Sequence, residues 1–173
     1  MPAGPKLRAP RLERPIEIAL IEPEIPPNTG AVARTCAATG SPLHLVGKLG
    51  FRIDEQSVRR AGLDYWHLVD LRRHESIDDF LASPHQGARY YFTGRAERSY
   101  LDVRFQPGDQ LIFGKESVGL DESVLEGARP EQLVAIPTIG EVRSLNLSNA
   151  VAIALYEALR QLGALKSDSL ALR

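Results

Sequence analysis

Short apolar runs alternate with helical segments along this chain, which predicts an α/β fold: a mostly parallel sheet with helices on both faces. Two observations reinforce the prediction. The runs at 16–21 (IEIALI), 43–46 (LHLV), 89–93 (RYYFT), 110–113 (QLIF) and 133–136 (LVAI) have the length of strands and are too short for helices. Turn residues follow them: Pro after the first, Gly soon after the others or a polar loop in their place. The chain has 173 residues, 43% hydrophobic and 25% charged, which suits one domain with a sizeable core.

Residues 1–14 (MPAGPKLRAPRLER) are Pro-rich and mildly basic, with no apolar stretch for a signal peptide, and read as a flexible extension. The first strand covers 16–21. Residues 22–27 form a Pro-rich turn, because proline cannot donate to a ladder. Asn28-Thr29-Gly30 opens a helix over 31–39 that Gly40 ends. A strand at 43–46 follows. A short helix is predicted over 54–61, with Asp54 and Glu55 at its start and Arg59 and Arg60 at its end, the order the helix dipole favours. Next come a strand over 68–71, a helix over 76–82 capped by Ser76, a strand over 89–93 and a polar loop over 94–108. The strand at 110–113 leads into the turn GKESVG at 114–119, then a short helix over 122–126 and the last strand, 133–136. Residues 164–173 form a tail.

A long helix starts near Asn146. Leu147, Val151, Ala154, Leu155, Ala158 and Leu162 recur on one face, yet Ala150, Ala152, Ile153 and Tyr156 leave the other side apolar too. Such a helix needs covering on more than one side, and in a short chain the second cover can be another subunit. Ser144, Asn146, Ser148 and Asn149 crowd its start behind Arg143. Residues of this kind cap helices, and a helix start also suits an anion or a polar ligand.

Composition excludes several classes. A net charge of −1 does not announce a nucleic-acid binder, so any basic surface must be local: Arg59–Arg60, Arg72–Arg73, or the Arg95, Arg98 and Arg104 group. The single cysteine, Cys36, excludes an internal disulfide, and the four histidines lack zinc-ligand spacing, so no metal is expected. No run approaches 18 apolar residues, and a cytoplasmic protein without a membrane partner is expected. Residues 114–119 have the glycine spacing of a phosphate loop, but Leu120-Asp121 replaces the Lys-Ser/Thr it needs. Neither G-x-G-x-x-G after a strand nor G-x-S-x-G is present. Cys36 reads as a small buried hydrophobe. In parallel sheets ligands bind beyond the carboxyl ends of strands, which directs attention to the turns after residues 92, 113 and 136.

Three segments, EPEIPPNTGAVARTCAATG (22–40), LIFGKESVGLD (111–121) and AIPTIGEVRSLNLSNAVAIALYEALRQ (135–161), together resemble the three motifs of the SPOUT class of S-adenosylmethionine-dependent RNA 2′-O-methyltransferases. RRAGLDYW (59–66) is similar to the small TrmL-type subgroup acting on the wobble nucleotide of tRNA. The resemblance makes 15–163 the methyltransferase domain. It implies a C-terminal trefoil knot, a rare exception to unknotted topology. It implies that S-adenosylmethionine is held, largely through backbone groups, at Phe92, Thr93, Gly114, Ile136 and Ser144. It places Asn28, Arg34, Glu116, Ser144 and Asn146 at the active site, and with the local basic group it marks Arg95 and Tyr156 for RNA. It also implies a homodimer through the C-terminal helix, with tRNA, not DNA, as partner. The expected reaction is methyl transfer to the ribose 2′-hydroxyl of a wobble cytidine or modified uridine in the anticodon loop. Ribosomal RNA as substrate, or a non-catalytic RNA-binding factor of the same fold, is the alternative. A guanidinium stays protonated, so Arg34 is expected to hold a phosphate or lower the hydroxyl's proton affinity, with a substrate phosphate or water taking the proton. Asp121, where the class often has proline, and residues 138–142 depart from the common pattern.

Overall fold

The computed structural model describes residues 4–52 and 66–172. Six strands form the main sheet: β2 (Glu17–Ile21), β3 (Leu43–Val46), β4 (Leu71–His74), β5 (Arg89–Phe92), β6 (Gln110–Phe113) and β7 (Leu133–Val134). Their spatial order is β4-β3-β2-β6-β5-β7, and every pairing is parallel. Side chains alternate between faces along each strand. Ile18, Leu20, Leu43, Leu45, Leu111 and Phe113 join the core formed with helices α1 (Pro26–Thr39) and α4 (Leu147–Gln161). Ala19, Ile21, Val46, Tyr91 and Ile112 join a second core with Phe80 of α2 (Ile77–Ala82) and Val124 and Leu125 of α3 (Glu122–Glu126). Helices thus cover both faces, and the two adjacent on the first face, α1 and α4, both begin at the carboxyl ends of the strands.

Several sequence expectations are corrected. The helix expected over 31–39 starts five residues earlier, at Pro26. Proline costs little in a first turn, where its missing N–H would have had no partner. Gly40 ends it with φ 69°, left-handed backbone that glycine adopts freely. The strand expected over 68–71 is a 3-10 turn, Trp66–Leu68, followed by β4 at Leu71–His74. The strand expected over 133–136 stops at Val134. Ala135 changes partner, bridging Ser99 and exchanging hydrogen bonds with Arg98 and Tyr100. The 94–108 loop is less polar than expected: it contains a 3-10 turn, Tyr100–Asp102, and buries Tyr100, Val103 and Phe105. The ends of the chain, read as an extension and a tail, meet: β1 (Leu7–Arg8) pairs antiparallel with β8 (Ala171–Leu172), and Leu12 packs on the main core. The helix expected over 54–61 and most of RRAGLDYW lie outside the described residues.

Candidate active site

The strand order reverses between β2 and β6, the place where an open α/β sheet leaves a crevice. The registers Leu20↔Phe113, Phe92↔Phe113 and Phe92↔Val134 bring the carboxyl ends of β2, β6, β5 and β7 level. A cleft of about 530 Å³ opens there between the turns after β5 and β6 and the amino ends of α1 and α4. An adjoining space of about 350 Å³ continues it along residues 135–138. Phe92 and Phe113, stacked at 4.6 Å between ring centroids, line both.

The 114–119 turn is folded tightly on itself. Lys115 and Gly119 exchange two backbone hydrogen bonds, and Gly119 adopts φ 77°. A Cβ on Gly114 would lie 2.1 Å from the Gly119 carbonyl carbon and 2.2 Å from the Leu120 nitrogen. The need for glycine at 114 is therefore internal to the turn.

Carboxylates tie this turn to the one after β2. Glu116 accepts from the backbone N–H groups of Glu24 (2.8 Å) and Ile25 (3.2 Å) and from Asn28 Nδ2 (3.1 Å). The negative charge thus sits at the start of α1, where the helix dipole favours it. Glu24 returns the clasp, accepting from the Ser117 N–H (3.0 Å) and hydroxyl (2.9 Å). Glu22, at φ 48°, pairs with Lys115 Nζ at 3.0 Å, and Asp121 lies 3.3 Å from the same ammonium. The hydrogen bond to Glu22 holds the Lys115 ammonium above its usual pKa, which keeps it charged.

From Asn28 the network continues across the cleft wall. Asn28 Oδ1 accepts from Asn146 Nδ2 at 3.0 Å, and Asn146 Oδ1 caps α4 by accepting from the N–H groups of Ser148 and Asn149. Arg143 Nη2 donates to the Ser117 carbonyl at 3.0 Å and joins the loop before α4 to the 114–119 turn. Residues 136–145 make no backbone–backbone hydrogen bond with other described residues, so their N–H and C=O groups remain available.

Most of the residues singled out in the sequence converge here. Asn28, Phe92, Thr93, Arg95, Gly114, Glu116, Ser144 and Asn146 line the larger space, and Ile136 lines the adjoining one with Phe92, Thr93 and Ser144. Arg95 also forms an ion pair with Glu122. Two residues stand apart. Arg34 is exposed on α1 and lines neither space, and Tyr156 lies far along α4, against a different groove. Burial pushes the Cys36 thiol up to about 12, so it is no nucleophile at neutral pH. Among the described residues no group of three His, Cys, Asp or Glu could hold a metal ion, and no helix is long and apolar enough to cross a membrane. Sequence reasoning missed Glu22, Glu24 and Lys115 and used Arg143 only as a neighbour. Their roles depend on contacts more than 20 residues away, and no local spacing could disclose them.

Comparison with known proteins places these features in context. The pattern of the SpoU rRNA Methylase family matches residues 15–156. A protein of Burkholderia pseudomallei (strain 1106a) named tRNA (cytidine(34)-2′-O)-methyltransferase is 46% identical over 148 residues, covering 84% of this chain and 95% of its own length. Its namesake in Escherichia coli (strain K12) is 43% identical over 148 residues, covering 86% and 94%. A solved structure described as "Structural insights into the 2-OH methylation of C/U34 on tRNA" superposes with a TM-score of 0.80 at 50% identity, over 87% of this chain and 97% of that one. An AdoMet-bound rRNA methyltransferase from Sinorhizobium meliloti superposes with a TM-score of 0.71 at 28% identity, over 87% of this chain and 58% of that one.

Proposed function

The chain belongs to the SpoU rRNA Methylase family, and from that premise we propose that it is a tRNA methyltransferase carrying a methyl group from S-adenosylmethionine to the ribose 2′-hydroxyl of the wobble cytidine or uridine. The observation that carries this reading is the meeting, in one cleft, of the turns after β5, β6 and β7 with the amino ends of α1 and α4.

The cleft suits the donor in size and chemistry. Small-molecule sites usually run from about 300 to 1,000 Å³. The stacked Phe92 and Phe113 offer an apolar floor, and the backbone of 136–138 and 143–145, without backbone–backbone hydrogen bonds among the described residues, offers donors and acceptors along its lining. Thr93, Gly114, Ile136 and Ser144 would hold the donor there, and when bound it supplies an activated methyl on a sulfonium sulfur. What remains for the protein is positioning, which can lower a barrier by several kcal/mol on its own, about 7–11 at best.

Glu116, Asn28 and Asn146 act as positioning residues in this reading. Glu116 already accepts three hydrogen bonds from α1 and the turn before it, which suits bracing better than proton abstraction. Ser144 lines both spaces and can contact donor or nucleotide there. Arg95, at the rim, is a phosphate contact once it leaves Glu122. Arg34 meets the reaction only where bound RNA or a second copy bridges the flank of α1 and the cleft; its guanidinium then holds a phosphate or stabilises the developing alkoxide. A substrate phosphate or water takes the proton. The same reading includes a C-terminal trefoil knot, a homodimer and action in the cytoplasm.

The test is nucleoside mass spectrometry of tRNA incubated with the protein and S-adenosylmethionine. A 2′-O-methylated pyrimidine at the wobble position is expected. Methylation of a base alone, or of ribosomal RNA alone, would reject the reading. Arg34→Ala should lower turnover by about 100-fold or more while calorimetry shows S-adenosylhomocysteine still bound. Full activity in that variant would remove Arg34 from the mechanism.

A further inference from the structure

The ends of the chain lie beyond the family pattern, which covers residues 15–156, and in the fold they pair with one another. Leu7 lies opposite Leu172 and Arg8 opposite Ala171, while Leu12 anchors the segment on the main core. This ribbon carries Lys6, Arg8, Arg11 and Arg14, all exposed. None of the four side chains has an ion pair or hydrogen bond among the described residues. Elsewhere Arg72, Arg95, Lys115, Arg129 and Arg160 sit against carboxylates, and the other exposed cations whose side chains lack a partner among the described residues, Lys48, Arg52, Arg73, Arg104 and Lys166, are spread along the chain and not clustered as these four are.

The charge balance sharpens the contrast. Four cations against Glu13 give residues 1–15 a charge of +3; the whole chain carries −1, so the remaining residues carry −4. A net-negative body repels a polyanion, and unpaired basic groups concentrated at one end give it a place to land. Arg8 and Arg11 also line a groove of about 350 Å³ with Thr39, Gly40, Tyr156 and Leu159.

We propose that this terminal ribbon is a second RNA contact, holding backbone phosphates at a distance from the nucleotide in the cleft. It rests on the RNA-methyltransferase reading above. Helix α4 begins at the cleft with Asn146 as its cap and runs 15 residues toward the groove lined by Leu159. At 1.5 Å per residue that separates the two sites by ~20 Å. The ribbon therefore meets a different part of the RNA and adds affinity without touching the chemistry.

The experiment uses the full chain with Lys6→Gln, Arg8→Gln, Arg11→Gln and Arg14→Gln combined, and whole tRNA as the probe. Binding is measured across a salt series, alongside S-adenosylhomocysteine calorimetry and steady-state kinetics. The variant should bind tRNA about 10-fold more weakly at ~100 mM salt, with a slope of log K against log salt shallower by about 3. KM for tRNA should rise with kcat and cofactor binding unchanged. Unaltered affinity and slope would overturn the proposal. Should the combined variant fail to bind the cofactor, Arg8→Gln and Arg14→Gln alone replace it, each expected to flatten the slope by about 0.7–0.9, and no flattening overturns the proposal equally. Wild-type protein that leaves tRNA unmethylated would remove the parent reading as well; a methylating wild type with an indifferent variant would remove only this one. Charge-dependent binding to anionic lipid vesicles with tRNA binding unaffected would assign the ribbon to a membrane surface and overturn the RNA contact.

Discussion

Glu116 commits both carboxylate oxygens to the protein itself, and that decides what its removal should do. Glu116→Ala would strip acceptors from the Glu24 and Ile25 N–H groups and from Asn28. Charge-assisted hydrogen bonds contribute about 1.5–3 kcal/mol each when buried, but water can replace part of this at a half-open turn. A loss near 2 kcal/mol is expected, read as a lower urea midpoint, with cofactor affinity falling alongside. Unchanged stability with lost turnover would instead mark Glu116 as a chemical participant. Gly114→Ala tests the turn from the other side. Its Cβ would meet main chain on both contacts, at 2.1 and 2.2 Å, so no side-chain rotation relieves it, and overpacking on this scale costs about 3 kcal/mol. Gly94→Ala is the control: nothing lies within 4 Å of its added Cβ, so stability should stay within about 0.5 kcal/mol of wild type.

Among the elements, β4 shows both what a sequence hides and what the sheet gains from polar groups. Its four residues, LRRH, carry no apolar run because it is an edge strand with Arg72 and Arg73 exposed. The apolar central strands β3 and β6 were legible to the residue; β4 was displaced by three. On the face covered by α2, a polar row crosses the sheet. Arg72 Nη1 donates to Glu17 at 3.2 Å, as does Gln110 Nε2 at 2.7 Å, and Arg89 Nε donates to Gln110 at 2.8 Å. His44 Nε2 lies 2.9 Å from Glu17, so it donates, and His44 Nδ1 then accepts from His74 Nε2 at 2.8 Å while both rings are neutral. Two protonated rings would oppose two N–H groups at that distance. Burial, then the neighbouring His44 charge, holds His74 below its ordinary value, with Asp79 opposing and Arg72 and Arg89 reinforcing. Burial would raise Glu17, but hydrogen bonds from His44 and Gln110 with the charges of His44 and Arg72 outweigh it and leave it lowered. Both depressed groups favour unfolding in acid: the His74 contribution is complete above about pH 6.5 and declines below it, and the Glu17 contribution is complete above about pH 4.5 and declines further down. Unfolding free energy should therefore fall from pH 7 to pH 4 in urea titrations, and His74→Gln should flatten the upper part of that fall. A stability independent of pH over this range would reject the arrangement.

At the scale of the whole molecule, the same alternation that disclosed the sheet also placed the cleft, because ligand-holding turns follow strands and the turns after residues 92, 113 and 136 do meet. Arg34 and Tyr156 were not legible as outliers, since a sequence motif records which residues travel together and not which side of a helix they occupy. Helix α4 carries the matching lesson about assembly. One chain covers much of it: Val151, Ala154, Leu155 and Ala158 are fully buried. Ile153 remains 40% exposed and Tyr156 46%, on a stripe with Asn149 and Ala152 that the described residues leave partly open. We propose that a second copy covers it, forming the homodimer implied by the resemblance. The two faces give separable outcomes. Val151→Asp buries an unpaired charge inside the monomer and should prevent folding. Ile153→Asp places its charge where a lone chain leaves it in water, so it should leave cooperative unfolding intact while converting a dimer to a monomer. Sedimentation of the wild type at ~10 μM should give twice the 19.0 kDa chain mass, and the Ile153→Asp variant should give that mass once. If Arg34 of one copy serves the cleft of the other, turnover in this variant should fall with the dimer while S-adenosylhomocysteine binding persists. A wild type that sediments as a monomer would leave the stripe to another partner and end the proposal.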